Sequence, residues 1–247
     1  MFLSVVIPCY DEMANLQKGV LDKVLHFLSK KEYGYEVIVS DDGSRDGSLA
    51  FVEKFTKENE NIRLIKNQHL GKVGAVTNGM LVAKGKYVLF TDMDQATPIE
   101  EVDKLLPYFE KGYGVVIGSR NEARKGSPWT RQIVSWGMRV TRRLIVGLPG
   151  IVDTQCGFKA FTADASQKLF TKMSELHNGF SAISGSAVTA GFDVELLFLA
   201  LKYKYKIKEV PVEWLYVESR RVNPIQDSID AIIYLLKIRY NHISGKY

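Results

Sequence analysis

Only two cysteines occur in the 247 residues, Cys9 and Cys156. They lie far apart, without metal-ligand spacing, which excludes a disulfide framework and a cysteine zinc site and fits a reducing compartment. Long apolar runs are also missing. The best candidate for a membrane span, Ile183 to Leu201, is interrupted by Asp193 and Glu195, so no transmembrane segment is expected. Met1 runs almost directly into an apolar strand with no basic stretch before it, which argues against a signal peptide. Two phosphate-binding signatures are absent as well. The turn after the first strand lacks G-x-G-x-x-G, and the Leu70 to Ala75 turn (LGKVGA) does not satisfy G-x-x-x-x-G-K-[ST]. A dinucleotide-binding Rossmann unit and a P-loop are thereby excluded. No internal repeat, low-complexity tract or linker divides the chain, so one domain over 1–247 is expected.

What is present is an ordinary globular composition, 46% hydrophobic and 25% charged, enough for a fully formed core. The net charge of +5 points to an anionic partner: a phosphorylated substrate, an acidic membrane surface or nucleic acid.

The central stretch is Tyr87 to Pro98, YVLFTDMDQATP. Tyr87 to Phe90 read as a buried strand that ends in two carboxylates, Asp92 and Asp94. In open α/β sheets, ligands bind at the carboxyl ends of the strands. Two hard oxygen donors there can hold one Mg²⁺ or Mn²⁺ that completes its shell with substrate phosphates. The following helix is expected to start with Thr97 as N-cap, Pro98 at the first helical position and Glu100 reaching back, and to bury Val102, Leu105, Leu106 and Phe109.

Other strands carry polar residues at the same end. Ser4 to Ile7, stopped by Pro8, leads into Cys9, Tyr10, Asp11 and Glu12, a turn able to offer an aromatic face and acceptors to a base and ribose. Glu36 to Ser40 leads into Asp41, Asp42 and Gly43, where the acids can accept from hydroxyl or base N–H groups. Ile62 to Lys66 precedes Lys72, which stands before a helix whose N-terminus favours phosphate. Val115 to Gly118 ends in Ser119 and Arg120. Alternating strands and helices predict a mostly parallel sheet flanked by helices on both faces.

The second half differs. Arg131 to Leu148 separates into a basic side (Arg131, Gln132, Ser135, Arg139, Arg142, Arg143) and an apolar side, with Trp136 between. This is a membrane-surface element, an anion-binding wall, or a core helix with a solvated basic face. Asp193 and Glu195 open a strongly apolar helix, where the dipole favours their charge. Ile207 to Val212 and Trp214 to Val217 read as strand-like. The last helix, from Pro224, sets Ile225, Ile229, Ile232, Ile233 and Leu236 on one stripe, either core packing or a surface anchor.

Seven motifs in order carry a resemblance: Val6 to Glu12 (VIPCYDE), Asp41 to Ser44 (DDGS), LGKVGA, Asp92-x-Asp94, Gly118 to Arg120, Asp153 to Lys159 (DTQCGFK) and Phe192-Asp193-x-Glu195. Together they resemble the inverting family 2 glycosyltransferases of the GT-A fold, and within these the dolichyl-phosphate and polyprenyl-phosphate glucosyltransferases. The likeness runs from Ser4 to about Arg239. It implies an α/β GT-A sheet, Rossmann-like, with amphipathic surface helices, a nucleotide-sugar half at about 1–120 and an acceptor and membrane-facing half at about 121–247.

By that resemblance Pro8, Tyr10, Glu12, Asp41, Asp42, Lys72, Asp92 and Arg220 would bind the nucleotide sugar, with Arg221 in the same closing loop as Arg220. Asp92 and Asp94 would bind Mg²⁺ or Mn²⁺. Arg120, Arg131, Ser135 and Arg139 would hold the acceptor phosphate, and Asp153, Asp193 and Glu195 would be the catalytic acids beside sugar and acceptor. Gln95 directly follows Asp94, whereas mannosyl relatives place a glutamine further on, so Gln95 is not assigned to the metal. The implied reaction moves a sugar, glucose favoured, from a UDP-sugar to a dolichyl or polyprenyl phosphate with inversion, at the cytoplasmic face of a membrane to which the protein attaches peripherally. The expected partners include no nucleic acid. Three alternatives stand beside it: a GDP-mannose-dependent polyprenyl-phosphate mannosyltransferase, a non-catalytic basic protein that binds membrane surfaces or nucleic acid, and a haloacid-dehalogenase-like phosphatase. The phosphatase motif D-x-D-x-[TV] fails at Ala96.

Overall fold

The computed structural model describes residues 1–120, 141, 145–180, 191–215 and 224–247, the side chains of 224–230 excepted. Its centre is one seven-stranded sheet in the order β3-β2-β1-β4-β6-β5-β7. The strands are β1 (Leu3–Cys9), β2 (Tyr35–Asp41), β3 (Ile62–Lys66), β4 (Tyr87–Thr91), β5 (Val115–Ser119), β6 (Phe158–Thr162) and β7 (Ile207–Pro211). All run parallel except β6, which lies antiparallel between β4 and β5. FKAFT carries no strand signal in the sequence, because a five-residue stretch containing a lysine does not read as a central strand.

Every residue of β4 is buried, as a strand covered on both faces must be. Pro8 does not stop β1, which continues to Cys9 and pairs Pro8 with Ser40. The ladder to β4 has already ended at Val6 and Phe90, leaving one side of β1 open where a proline nitrogen can donate nothing.

The helices are α1 (Met13–Leu16), α2 (Val20–Ser29), α3 (Ser48–Glu58), α4 (Gly71–Leu81), α5 (Val102–Leu105), α6 (Pro107–Glu110), α7 (Ala163–Leu176), α8 (Phe192–Lys202) and α9 (Pro224–Ile243). Two apolar layers result. One packs α2, α3 and α5 against β1 and β2 through Val24, Leu28, Val52 and Val102. The other packs α4, α7, α8 and α9 through Met80, Phe170, Leu197 and Ile238. Helix α4 lies so close to β1 that a Cβ on Gly79 would stand 2.4 Å from Val6 Cγ1.

The helix expected after Asp94 is broken instead into a 3-10 turn (Ile99–Glu101), α5 and α6, with Pro98 outside the turn and no side-chain cap at its start. Pro107 opens α6 because its ring and missing N–H end the preceding hydrogen-bonded run. Residues 212–215 form no strand, and 216–217 lie outside the described residues. Among the described residues no helix is long and apolar enough to cross a membrane.

Candidate active site

The carboxyl ends of β1, β2, β4 and β5 and the start of antiparallel β6 meet at one edge of the sheet. Two loops at this edge are tied together. Asp11, with φ of 52°, accepts from Arg45 N at 2.8 Å, while its own N–H donates to Ser44 Oγ at 3.1 Å. Asp46 accepts from Met13 N, and Ser48 Oγ accepts from Glu12 N, both at 2.9 Å. The turns after β1 and β2 thus form one wall.

On this wall Asp41 and Asp42, expected to face a ligand, are both buried, and both carboxylates are used inside the protein. Asp41 closes its own turn, accepting from Gly43 N, Ser44 N and Ser44 Oγ. Asp42 accepts from Leu70 N at 2.6 Å and Gly71 N at 2.8 Å. The anion at the head of α4 is therefore the protein's own side chain, not a ligand phosphate. Burial raises the Asp42 pKa, against the pull of those amides and of His69. His69 Nδ1 lies 3.0 Å from the Asp42 carboxylate, and its ring stacks on Tyr10 at 4.4 Å between centroids. Two neighbouring carboxylates on an extended backbone point to opposite sides, which is why they serve different partners. His69 was not singled out from the sequence; its position just before LGK was the only available signal. Glu12 accepts from Asn15 Nδ2 at 2.6 Å, and Pro8 and Tyr10 are half-buried.

The acid pair stands at the end of β4. Asp92 Oδ1 is 2.6 Å from Lys72 Nζ. That ion pair is not aligned as a hydrogen bond, so Oδ1 is a buried oxygen without a hydrogen-bond donor. Burial would lower the Lys72 pKa, but Asp92 outweighs it and the net shift is upward. Asp94 accepts from Ala96 N at 3.0 Å, and its pKa is raised by burial and then by Asp92. Gly157, just before β6, faces this pair: a Cβ there would lie 2.1 Å from Asp92 Oδ2. A buried, undonated carboxylate oxygen, a second acid two residues on and a cradle that only glycine leaves open suit a hard divalent cation. Among the described residues no group of three or more His, Cys, Asp and Glu could hold a metal ion. The two acids would then need phosphate oxygens from a substrate to complete the shell. Gln95, with φ of 49°, turns its amide back to Thr91 and to the Asp92 carbonyl.

Three further acids were expected to be catalytic, and the structure gives each a cationic or hydroxyl partner. Asp153 is gripped by Arg120 through Nε at 2.7 Å, Nη2 at 2.8 Å and its backbone N–H at 3.0 Å. Arg120 is half-buried, and its desolvation would lower its pKa, yet Asp153 raises it overall. Expected on different reactants, these two residues are joined as a bidentate pair. Asp193, at the start of α8, accepts from Lys159 Nζ at 2.5 Å. Lys159 is fully buried in β6 and also donates to Cys156 O at 2.5 Å. Glu195 turns away from Asp193. It accepts from Tyr234 OH at 2.6 Å and from Tyr247 OH, and contacts His177 Nε2 at 2.9 Å. Burial would raise its pKa, but His177 and the two tyrosines hold it below the usual range. Two residues apart on a helix differ by about 200°, so Asp193 and Glu195 cannot share a face. Glu195 anchors α9 to α8, a correction to its expected catalytic placement. Lys159 stands in the DTQCGFK motif without an assigned role, and His177, Tyr234 and Tyr247 have no sequence signature, because burial and partners are supplied from elsewhere in the chain. Arg131, Ser135, Arg139 and Arg220 lie outside the described residues.

Comparison with known proteins places this geometry. The profile described as Glycosyl transferase family 2 matches residues 4–170. The chain belongs to glycosyl transferase family 2. Similar relatives of this family 2 chain include proteins named dolichyl-phosphate beta-glucosyltransferase. The one from Saccharomyces cerevisiae is 35% identical, with 100% of this chain and 76% of that protein covered. The one from Dictyostelium discoideum is 33% identical over 99% and 76%, and the one from Homo sapiens 32% over 99% and 77%. Among solved structures, glucosyl-3-phosphoglycerate synthase from Mycobacterium tuberculosis, in complex with Mn²⁺, UDP and glucosyl-3-phosphoglycerate, superposes with a TM-score of 0.64 at 16% identity. It covers 97% of this chain and 80% of its own. Mannosyl-3-phosphoglycerate synthase from Rubrobacter xylanophilus gives 0.65 at 16% identity, over 100% and 76%. The fold is GT-A. Family membership leaves the phosphatase and the non-catalytic alternatives without support.

Proposed function

We propose that this family 2 glycosyltransferase transfers glucose from UDP-glucose to a dolichyl or polyprenyl phosphate, with inversion and with the help of Mg²⁺ or Mn²⁺. The observation that carries the reading is the likeness to dolichyl-phosphate beta-glucosyltransferases across essentially the whole chain, joined to an acid pair at the sheet edge whose chemistry suits a metal-bound diphosphate. Asp92 and Asp94 would hold the cation, which supplies charge stabilisation to the departing diphosphate. Tyr10, with its stacked His69, offers an aromatic surface for the base, and Glu12 an acceptor for ribose hydroxyls. Lys72 is placed to leave Asp92 for a phosphate oxygen.

The acceptor brings its own nucleophile. A phosphate monoester loses its second proton near pH 6, so a phosphate oxygen attacks the anomeric carbon while the bond to the diphosphate oxygen breaks on the opposite face. No general base is required. The protein's task is to hold two anions together. Asp193, oriented by Lys159, is the acid best placed to steady positive charge developing at the sugar. Asp153 holds Arg120 in position at the end of β5. A lipid-bound acceptor calls for peripheral attachment to a membrane, and the cytoplasmic face is part of the proposal.

The test is a matrix of UDP-glucose, other UDP-sugars and GDP-mannose with a short polyprenyl phosphate, with and without Mn²⁺, following lipid-linked product and the anomer formed. Product from UDP-glucose alone, dependent on the cation, is expected. Use of GDP-mannose in preference would replace this reading with that of a mannosyltransferase.

A further inference from the structure

Over its described side chains, from Ala231 onward, helix α9 is held to the domain by one face. Leu235 and Ile238 are buried in the second apolar layer, and Tyr234 bonds to Glu195 while its ring stands where a Cβ on Gly191 would clash at 2.6 Å. The opposite face carries Ile232, Ile233, Leu236, Tyr240 and Ile243, exposed by 38, 59, 54, 67 and 73%. At 100° per residue these five fall within an arc of roughly 100°. For Ile232, Ile233 and Leu236 this is not the core packing that their spacing also allowed, while the side chains of Ile225 and Ile229 lie outside the described residues. Among the described residues, only four other large hydrophobics are comparably exposed, scattered at Met1, Val82, Tyr203 and Leu215.

Charge decides what covers this face. Lys237 and Arg239 are exposed and flank the stripe on either side, and Lys246 lies just beyond it over the Tyr240 ring at 5.9 Å. From Ala231 to Tyr247 there is no Asp or Glu. A second copy of the chain docked through this face about a two-fold axis would bring like charges together with no acid from residues 231–247 to relieve them. An apolar ridge with basic flanks on a helix lying against its own domain matches the boundary between acyl chains and anionic headgroups. We propose that the outer face of α9 is a docking surface for an anionic lipid bilayer. This rests on the proposed acceptor reading only for its purpose, which is to bring the site to a phosphate anchored in the membrane. Tyr234 links that surface to Gly191, two residues from Asp193, so docking and site share one helix junction.

The test is sedimentation of the whole chain with vesicles of phosphatidylcholine containing about a third phosphatidylglycerol, at low and high salt. The wild type is compared with a triple variant, Ile233→Gln, Leu236→Gln and Ile243→Gln, and with a double variant, Lys237→Gln and Arg239→Gln. All five side chains are exposed, so melting temperatures should match the wild type. The triple variant should lose roughly a hundredfold in partition. The double variant should lose binding mainly at low salt. Turnover of a water-soluble short-chain acceptor should be unchanged in the triple variant, whereas turnover of an acceptor embedded in vesicles should fall. Vesicle binding of the triple variant equal to that of the wild type would overturn the proposal. So would a wild-type dimer in solution that the triple variant converts to monomer. Absence of transfer to any lipid phosphate would instead refute the acceptor reading, and the vesicle partition would still judge α9.

Discussion

Replacing Gly157 with alanine tests the proposed metal site without touching an acid. The backbone tolerates it, because Gly157 is not among the residues with positive φ. The new methyl would stand 2.1 Å from Asp92 Oδ2, 2.7 Å from Cγ and 3.0 Å from Oδ1, where ordinary contact begins at 3.4 Å. Asp92 must therefore retreat by more than an ångström, well beyond the tolerance of about 0.2 Å for a metal ligand. Misplacement on this scale costs on the order of 10²-fold in rate, or about 2.7 kcal/mol of transition-state stabilisation. Stability should barely change. The Asp92–Lys72 pair that is lost is partly exposed on both sides, worth about 0–1 kcal/mol, and alanine in place of glycine returns about 0.4–1 kcal/mol by restricting the unfolded chain. Steady-state transfer assays, a Mn²⁺ titration of UDP binding by calorimetry and a thermal melt read the three expectations. In an Asp92→Ala background the second change should cost nothing further, because the clash is gone. Wild-type activity and unchanged cation dependence in Gly157→Ala would refute the reasoning.

Asp94→Asn should lower transfer by at least about 10²-fold with an unchanged melt, since asparagine can still accept from Ala96 N; near-normal cation-dependent turnover would remove Asp94 from the metal site. Glu195→Gln should destabilise the fold by about 3 kcal/mol, as expected when one member of a buried charged cluster is changed, measured by urea unfolding at neutral pH. Because the folded-state pKa of Glu195 lies below its unfolded value, its contribution is present above the unfolded value and lost as pH falls through the folded one; the variant's stability should then vary less with pH below about 4.5, and parallel acid profiles would contradict the anchor. Cys9, whose thiol burial and Asp41 push up to about 12, and Cys156, raised by burial, should both resist iodoacetamide at pH 8 in the native protein and react in guanidinium. Native labelling of either would show that its surroundings open.

The parallel strands and their polar ends were legible because apolar runs of four or five residues bounded by turn residues have few other readings. The position of Asp92 and Asp94 could be inferred because the strand before them is unbroken. Pairing was not legible. Nothing in DTQCGFKAF states that Lys159 is fully buried or that it neutralises Asp193, because charge burial is decided by partners supplied from elsewhere in the chain. The roles of Asp41 and Asp42 were read together although adjacent side chains on extended backbone diverge. Asp193 and Glu195 were grouped although helical spacing separates them. Those two corrections needed only local geometry; the Arg120–Asp153 fork needed the sheet order.

The antiparallel insertion of β6 sets an order of assembly. Strands β1 to β4 are joined by connections within the first ninety-one residues, so they can pair while the rest of the chain is still being made. Strand β4 finds its second neighbour only when residues 158–162 arrive. Until then the run Tyr87 to Phe90 is a bare edge, the kind of surface that recruits other chains. Asp92 and Asp94 at its end place two like charges beside that edge, the kind of residue that opposes edge-to-edge stacking. The pairing that covers this edge is also what brings Gly157 over Asp92 at the candidate site.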